Sequence, residues 1–168
     1  MASNHPGLAG RAGETPEIFI ALGANIPSAV GSPKATLKAA LAALGERGVR
    51  VTAISKFRQT QAWPDPADPP FTNAVASVET ELQPAALLRL LHEVETALGR
   101  KRSVPNAPRT LDLDLIDYRG RVEHGVAELP HPRMRERRFV LEPLAEIAPG
   151  WRHPITGQAV EVLLAALD

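Results

Sequence analysis

The sequence predicts an α+β sandwich, an antiparallel-rich sheet with helices packed on it, in the order βαββαβ. Three observations carry this. Four short apolar or alternating runs read as strands, and two amphipathic stretches with their own start and stop signals read as helices between them. The chain, at 168 residues, is long enough for one ordinary hydrophobic core.

Residues 1–16 are rich in Gly, Pro, Ala and polar side chains without an apolar period, and are expected to form a disordered leader before a single domain at 17–168. Ile18, Phe19, Ile20, Ala21 and Leu22 make an apolar, partly β-branched run that stops at Gly23, as a buried strand does. Ser32 places a capping hydroxyl before Pro33, and Leu37, Ala40, Leu41 and Leu44 then recur at helical spacing as far as Gly45 and Gly48. Val49, Val51 and Ala53 alternate with polar residues in a second strand, and Ala74, Ala76 and Val78 do so in a third. The proline-rich stretch 59–70 between them reads as a loop. Pro84 opens a helix in which Leu87, Leu91, Val94 and Leu98 share a face, and Gly99 is placed to end it. Leu111, Leu113 and Leu115 alternate with Asp112, Asp114 and Ile116 in a fourth strand, and shorter helices are expected near 139–147 and 157–167. This order is ferredoxin-like, in which two right-handed crossovers build one sheet backed by helices.

Composition removes several classes of function. With no cysteine there is no disulfide, thiolate metal site or thiol nucleophile, so any metal is held by oxygen or imidazole, and a cytoplasmic setting is expected. Apolar stretches fall short of the roughly 20 residues that cross a bilayer, so no membrane partner is expected. Nineteen basic and nineteen acidic side chains cancel, which argues against a general attraction to nucleic acid. A monomer acting on small molecules is expected.

Asp112 and Asp114, two positions apart in a strand, emerge on one face about 6.6 Å apart. At that separation two carboxylates repel by roughly 2.5 kcal/mol at an effective dielectric of about 20. Divalent cations offset this, and ligation by carboxylates alone suits a hard ion such as Mg²⁺ that shares its shell with water and polyphosphate. Spacing alone is a weak signal, because an isolated pair of this kind more often lines the wet face of an antiparallel sheet. Asp117 has the opposite parity and is left out of the site.

Two basic segments flank the pair. Arg100, Lys101, Arg102 and Arg109 form one, interrupted by Pro105 and Pro108, and His131, Arg133, Arg135, Arg137 and Arg138 form the other, relieved only by Glu136. Arginine forks match phosphate oxygens bidentately, so the combination favours a metal-bound polyphosphate over solvated surface charge. Nucleic-acid binding normally calls for aromatic platforms, and only 4% of residues are aromatic. No P-loop, Rossmann glycine fingerprint or protein-kinase loop set is present.

The string Pro108-Arg109-Thr110-Leu111-Asp112-Leu113-Asp114-Leu115 resembles the signature of the hydroxymethyldihydropterin pyrophosphokinases. IALGAN at 20–25, PPFTNAV at 69–75, GR at 99–100 and PHPRMRERRFVLEPLAEIAP at 130–149 extend the likeness over nearly the whole domain. The resemblance implies a ferredoxin-like fold and transfer of the terminal diphosphate of ATP to a pterin alcohol in folate biosynthesis. It implies that Asp112 and Asp114 bind two Mg²⁺ ions and that Arg100 and Arg109, on a loop that closes over the polyphosphate, act in catalysis. Leu115, His131 and Arg137 match positions that contact ATP. Asn73 matches the residue that hydrogen-bonds the pterin, between rings at Phe71 and Phe139, with Thr60 and the backbone near Trp63 completing the pocket. An Asn amide offers both a donor and an acceptor to such a heterocycle; on their own, the two phenylalanines read equally as core. Glu95 matches a family glutamate near the active site, yet an exposed helix-face carboxylate explains it as well.

Departures from the family pattern are a basic loop one residue shorter, Asn106 at a tryptophan position, Gln61 at a proline position and Trp63 for a smaller aliphatic residue. The rival reading is a catalytically silent nucleotide- or RNA-binding ferredoxin-like module.

Overall fold

The computed structural model describes residues 17–62, 64–100 and 110–168. The expected leader at 1–16, Trp63, and the stretch 101–109 with Arg109 and its expected closure lie outside the described residues.

The sheet contains β1 (Ile18–Ala24), β2 (Arg50–Ile54), β3 (Arg58–Thr60), β4 (Phe71–Glu79) and β5 (Asp112–Tyr118). Their order is β2-β4-β1-β5, with β3 paired to the far end of β4, and every ladder is antiparallel. Two crossovers, through α1 (Pro33–Glu46) and α2 (Pro84–Ala97), generate this order, so the ferredoxin-like expectation holds. Strand β3 was not foreseen and takes the start of the stretch expected as loop. Its three polar residues carry no apolar alternation; their pairing comes from the free edge of β4.

Local signals are realised at the helix ends. Ser32 Oγ accepts the Ala35 N–H at 3.2 Å, with Pro33 beginning α1. Gly99, at φ +94°, lets the chain reverse after α2, and the Arg100 N–H returns to the Glu95 carbonyl at 3.0 Å. After a 3₁₀ turn at Met134–Glu136 come α3 (Arg138–Ile147) and α4 (Val160–Ala165), the latter shorter than its expected 157–167. No helix among the described residues is long and apolar enough to cross a membrane.

Both faces of the sheet are covered, which explains the unbroken apolar run of β1. Ile18, Ile20 and Leu22, with Ala76, Val78, Leu113 and Leu115, pack against Leu37, Ala40 and Leu44 of α1 and Leu87, Leu91 and Val94 of α2. On the opposite face Phe19, Ala21, Val75 and Ile116 pack with Val140, Leu141 and Leu144 of α3, Val160 and Leu163 of the α4 helix, and Trp151.

Asp117 does not lie on the face that counting along the strand assigns to it. The β1–β5 register shifts between Phe19 and Ile20, so Ile116 is an extra residue and Asp117 returns to the α3 face. There it accepts the Trp151 Nε1–H at 2.9 Å and the Gly120 N–H at 3.0 Å, buried beneath the indole. It still lies outside the cleft described next, because Trp151 covers it.

Candidate active site

Register places the key positions in one line. Asn73 is opposite Arg58 on β3 and opposite Gly23 on β1, and Gly23 is opposite Asp112 on β5, so Arg58, Asn73, Gly23 and Asp112 form a row across four strands. Residues in such a row project from the same face. The adjoining rows of that face hold Thr60 with Phe71 on one side and Ala21 with Asp114 on the other. They open into a cleft of about 330 Å³ lined also by Gln61, Arg133, Glu136, Arg137 and Phe139. Alternation thus separates chemistry from core: the leucines between these residues face α1 and α2.

Gly23 is the floor of the cleft. A Cβ there would stand 2.8 Å from Asn73 Oδ1, closer than such atoms approach, so only glycine leaves the carboxamide in place. Asn73 is buried and its Nδ2 donates to Thr60 Oγ1 at 2.7 Å. Phe71 borders the cleft and Phe139 is 39% exposed, so neither ring is the ordinary core that its apolar character alone allowed.

Arg100 Nη1 reaches Asp112 Oδ1 at 2.8 Å and Glu95 Oε2 at 2.9 Å, and the same Glu95 oxygen accepts the Leu113 N–H at 2.7 Å. Glu95 is therefore not an exposed helix-face carboxylate: it is 2% exposed, and burial raises its pKa. Its position beside Val94, at the edge of the apolar stripe of α2, was the signal for this. Arg137 Nη1 lies 3.7 Å from Asp114 Oδ2, and its guanidinium stands 5.6 Å from the centre of the Phe139 ring. Burial, and then the neighbouring Asp112 charge, push the Asp114 carboxyl up to about 7. His131 is pushed down to about 4 by burial and by Arg137, so its imidazole is neutral near pH 7; its Nδ1 accepts the Arg133 N–H at 3.1 Å.

The structure thus gathers Thr60, Phe71, Asn73, Asp112, Asp114, Arg137 and Phe139 round one cleft, with Arg100 bound to its acidic wall. The Leu115 side chain packs in the opposite core, which leaves its backbone for any nucleotide contact. Gln61, Arg133 and Glu136 were not assigned to the site from sequence, though the last two stand in the basic cluster. Gly23 and its contact with Asn73 were missed as well.

The donor set fits a hard divalent cation. Among the described residues no group of three or more His, Asp or Glu converges on one point, so a metal at Asp112 and Asp114 would fill its shell with water and phosphate oxygens. Such an ion also relieves the repulsion that helps raise Asp114.

Known proteins share the fold and the sequence pattern of this chain. The chain superposes on the crystal structure of an HPPK-DHPS in complex with substrates with a TM-score of 0.65, covering 91% of this chain and 43% of that one at 12% identity, a likeness of fold. The 2-amino-4-hydroxy-6-hydroxymethyldihydropteridine pyrophosphokinase of Methylorubrum extorquens is 41% identical over 152 residues, 89% of this chain and 92% of the relative. That of Bacillus subtilis is 41% identical over 133 residues, 77% of this chain and 76% of the relative. The family model of 7,8-dihydro-6-hydroxymethylpterin-pyrophosphokinase matches residues 19–149, nearly the whole sheet-and-helix domain, and the chain belongs to that family.

Proposed function

We propose that the cleft over Gly23 carries out the family reaction, moving the β,γ-diphosphate of ATP onto the hydroxymethyl group of 6-hydroxymethyl-7,8-dihydropterin and releasing AMP. The row Asn73, Gly23, Asp112 is the observation that carries this reading, because it sets an amide beside two rings within one cleft of a phosphate-metal dicarboxylate. It also disfavours a silent binding module, which has no use for a pair of like charges side by side on the wall of a cleft.

In this reading Phe71 and Phe139 stack on the pterin and Asn73, steadied by Thr60, reads its edge; the resemblance assigns the backbone near Trp63 to the same pocket. Asp112 and Asp114 hold two Mg²⁺ ions, which when bound neutralise phosphate charge. Arg100, Arg109, His131, Arg137 and the Leu115 backbone meet the nucleotide. The hydroxymethyl oxygen attacks the β-phosphorus in line, an O–P bond forms, and the bond to the AMP oxygen breaks. The alcohol proton leaves to Asp114, the proposed acceptor. Such transfer needs positioning and charge neutralisation more than a covalent nucleophile. Arg100 and Arg109 are assigned to charge that develops in transfer, so their loss lowers the rate by roughly a hundredfold, more than it lowers ATP affinity.

The deciding experiment incubates the protein with ATP, Mg²⁺ and the pterin alcohol. AMP and a pterin diphosphate are expected, and chelation of the metal should stop their formation. ADP in place of AMP would replace this reading with single-phosphoryl transfer. We also propose that the protein works as a monomer in the cytoplasm; light scattering tests the monomer and cell fractionation the compartment.

A further inference from the structure

Strand β3 is only three residues long and polar, yet it supplies Thr60, the partner of Asn73. Register in such a strand is weakly specified by burial, and a slip of one residue would turn Thr60 to the opposite face. The chain just before it is tied to β4 by Ser55, whose N–H donates to the Val75 carbonyl and whose Oγ accepts the Val75 N–H, each at 3.0 Å, and a contact from α3 adds to this hold. Glu146, near the C-terminal end of α3, grips the chain just before Thr60 at two points. Its Oε2 accepts the Lys56 N–H at 2.9 Å, and its Oε1 pairs with Arg58 Nη1 at 2.7 Å. Arg58 shares a face with Thr60 two positions on and stands directly opposite Asn73.

We infer that Glu146 is a positioning residue for the pterin side of the cleft: by holding Lys56 and Arg58 it keeps β3 in register beyond Ser55 and hence the Thr60 hydroxyl on the Asn73 amide. The side chains of Arg58 and Glu146 are 34% and 28% exposed, so the pair contributes modestly to overall stability and its effect is local. α3 also carries Phe139 at its other end, so the contact joins the helix that bears one proposed pterin ring to the strand that supplies Thr60.

The inference rests on Asn73 as the pterin reader, so the test includes a variant that examines that role alone. Calorimetry would compare pterin binding, with a non-hydrolysable ATP analogue and Mg²⁺ present, in wild type, Glu146→Ala, Glu146→Gln, Thr60→Val and Asn73→Ala, alongside binding of the analogue itself. Glu146→Ala should weaken pterin binding about tenfold while the ATP analogue changes less than about twofold. Glu146→Gln keeps an acceptor for the Lys56 N–H and loses the ion pair, so about a threefold loss is expected, and it carries the test if the alanine variant does not fold. Combining Glu146→Ala with Thr60→Val should cost little more than either change alone, because both act through Asn73. Equal losses for both ligands would show a merely structural role and overturn the inference. So would pterin affinity unchanged in Glu146→Ala while Asn73→Ala loses it. Unchanged affinity in Asn73→Ala would instead remove the role of Asn73, and the inference with it.

Discussion

On the α1/α2 side of the sheet Leu22, Leu113 and Leu115 are closed off from water, whereas one residue away along the same strands Gly23, Asp112 and Asp114 open into a cleft. The period of two in a strand is what allows this. Residues adjacent in sequence carry different burdens, stability on one face and chemistry on the other. A second contrast lies within the α3 face. Asp112 and Asp114 lie at its open end, while Asp117 on the same strand is sealed under Trp151 and serves the packing.

Neighbouring substitutions in β5 break the first contrast most sharply. Asp112→Ala or Asp114→Ala should reduce turnover by about a thousandfold or more, roughly 4 kcal/mol of transition-state stabilisation, with melting temperature unchanged or raised as carboxylate repulsion is relieved. Leu113→Ala, between them and 1% exposed, should instead cost about 3 kcal/mol of unfolding free energy and leave the rate of the folded fraction intact. Urea titration and turnover assays on the three variants decide it. Loss of stability in the aspartate variants, or loss of rate in the leucine variant, would mean the faces are not independent.

Much of this division was legible beforehand. The alternation of Leu111, Leu113 and Leu115 with Asp112 and Asp114 placed both carboxylates on one face, and the unbroken run at 18–22 marked a strand covered on both sides. What stayed hidden depends on partners distant in sequence. The bulge at Ile116 arises from pairing with β1, so parity counted along β5 alone misplaced Asp117. Glu95 looked exposed because a helix-edge carboxylate usually is; its burial requires Leu113 and Arg100 to meet it. Strand β3 has no pattern of its own and exists through the edge of β4.

The contrast between the two ends of the α3 face can be sharpened with pH. Burial pushes the Asp117 carboxyl up to about 6, against an ordinary value near 3.8, despite the donors that favour its ionised form. A raised carboxyl has the opposite sign to a salt-bridged one. Below about pH 4 both folded and unfolded states hold the proton and the contribution is complete; as pH rises toward 6 the unfolded chain loses its proton first, and stability falls by up to about 3 kcal/mol. Asp117→Asn cannot ionise, so its stability relative to wild type should climb by that order between pH 4 and 7. A constant difference would mean that the Trp151 and Gly120 donors hold Asp117 at an ordinary pKa.

The smallest expected effect tests where the open end begins. Gly23 lies between Leu22 and Ala24, whose side chains are both buried under α1 and α2, and its own Cα position faces the cleft. An alanine there meets Asn73 Oδ1 at 2.8 Å, the end of a side chain that can turn away rather than fixed backbone. The strain is therefore released locally, and unfolding free energy should change by less than about 1 kcal/mol. Release comes at the cost of the amide's direction, and Thr60, whose hydroxyl fixes the other end of that amide, loses its alignment. Pterin affinity should fall by about tenfold, near 1.4 kcal/mol, with binding of an ATP analogue unchanged, because the dicarboxylate sits on the next strand and keeps its own contacts with Arg100 and Arg137. If Gly23→Ala weakens both ligands alike, the methyl group has disturbed β1 itself and the floor belongs to the core. If it weakens neither, the Asn73 amide has room to spare, and the direction that Thr60 imposes on it has no bearing on binding.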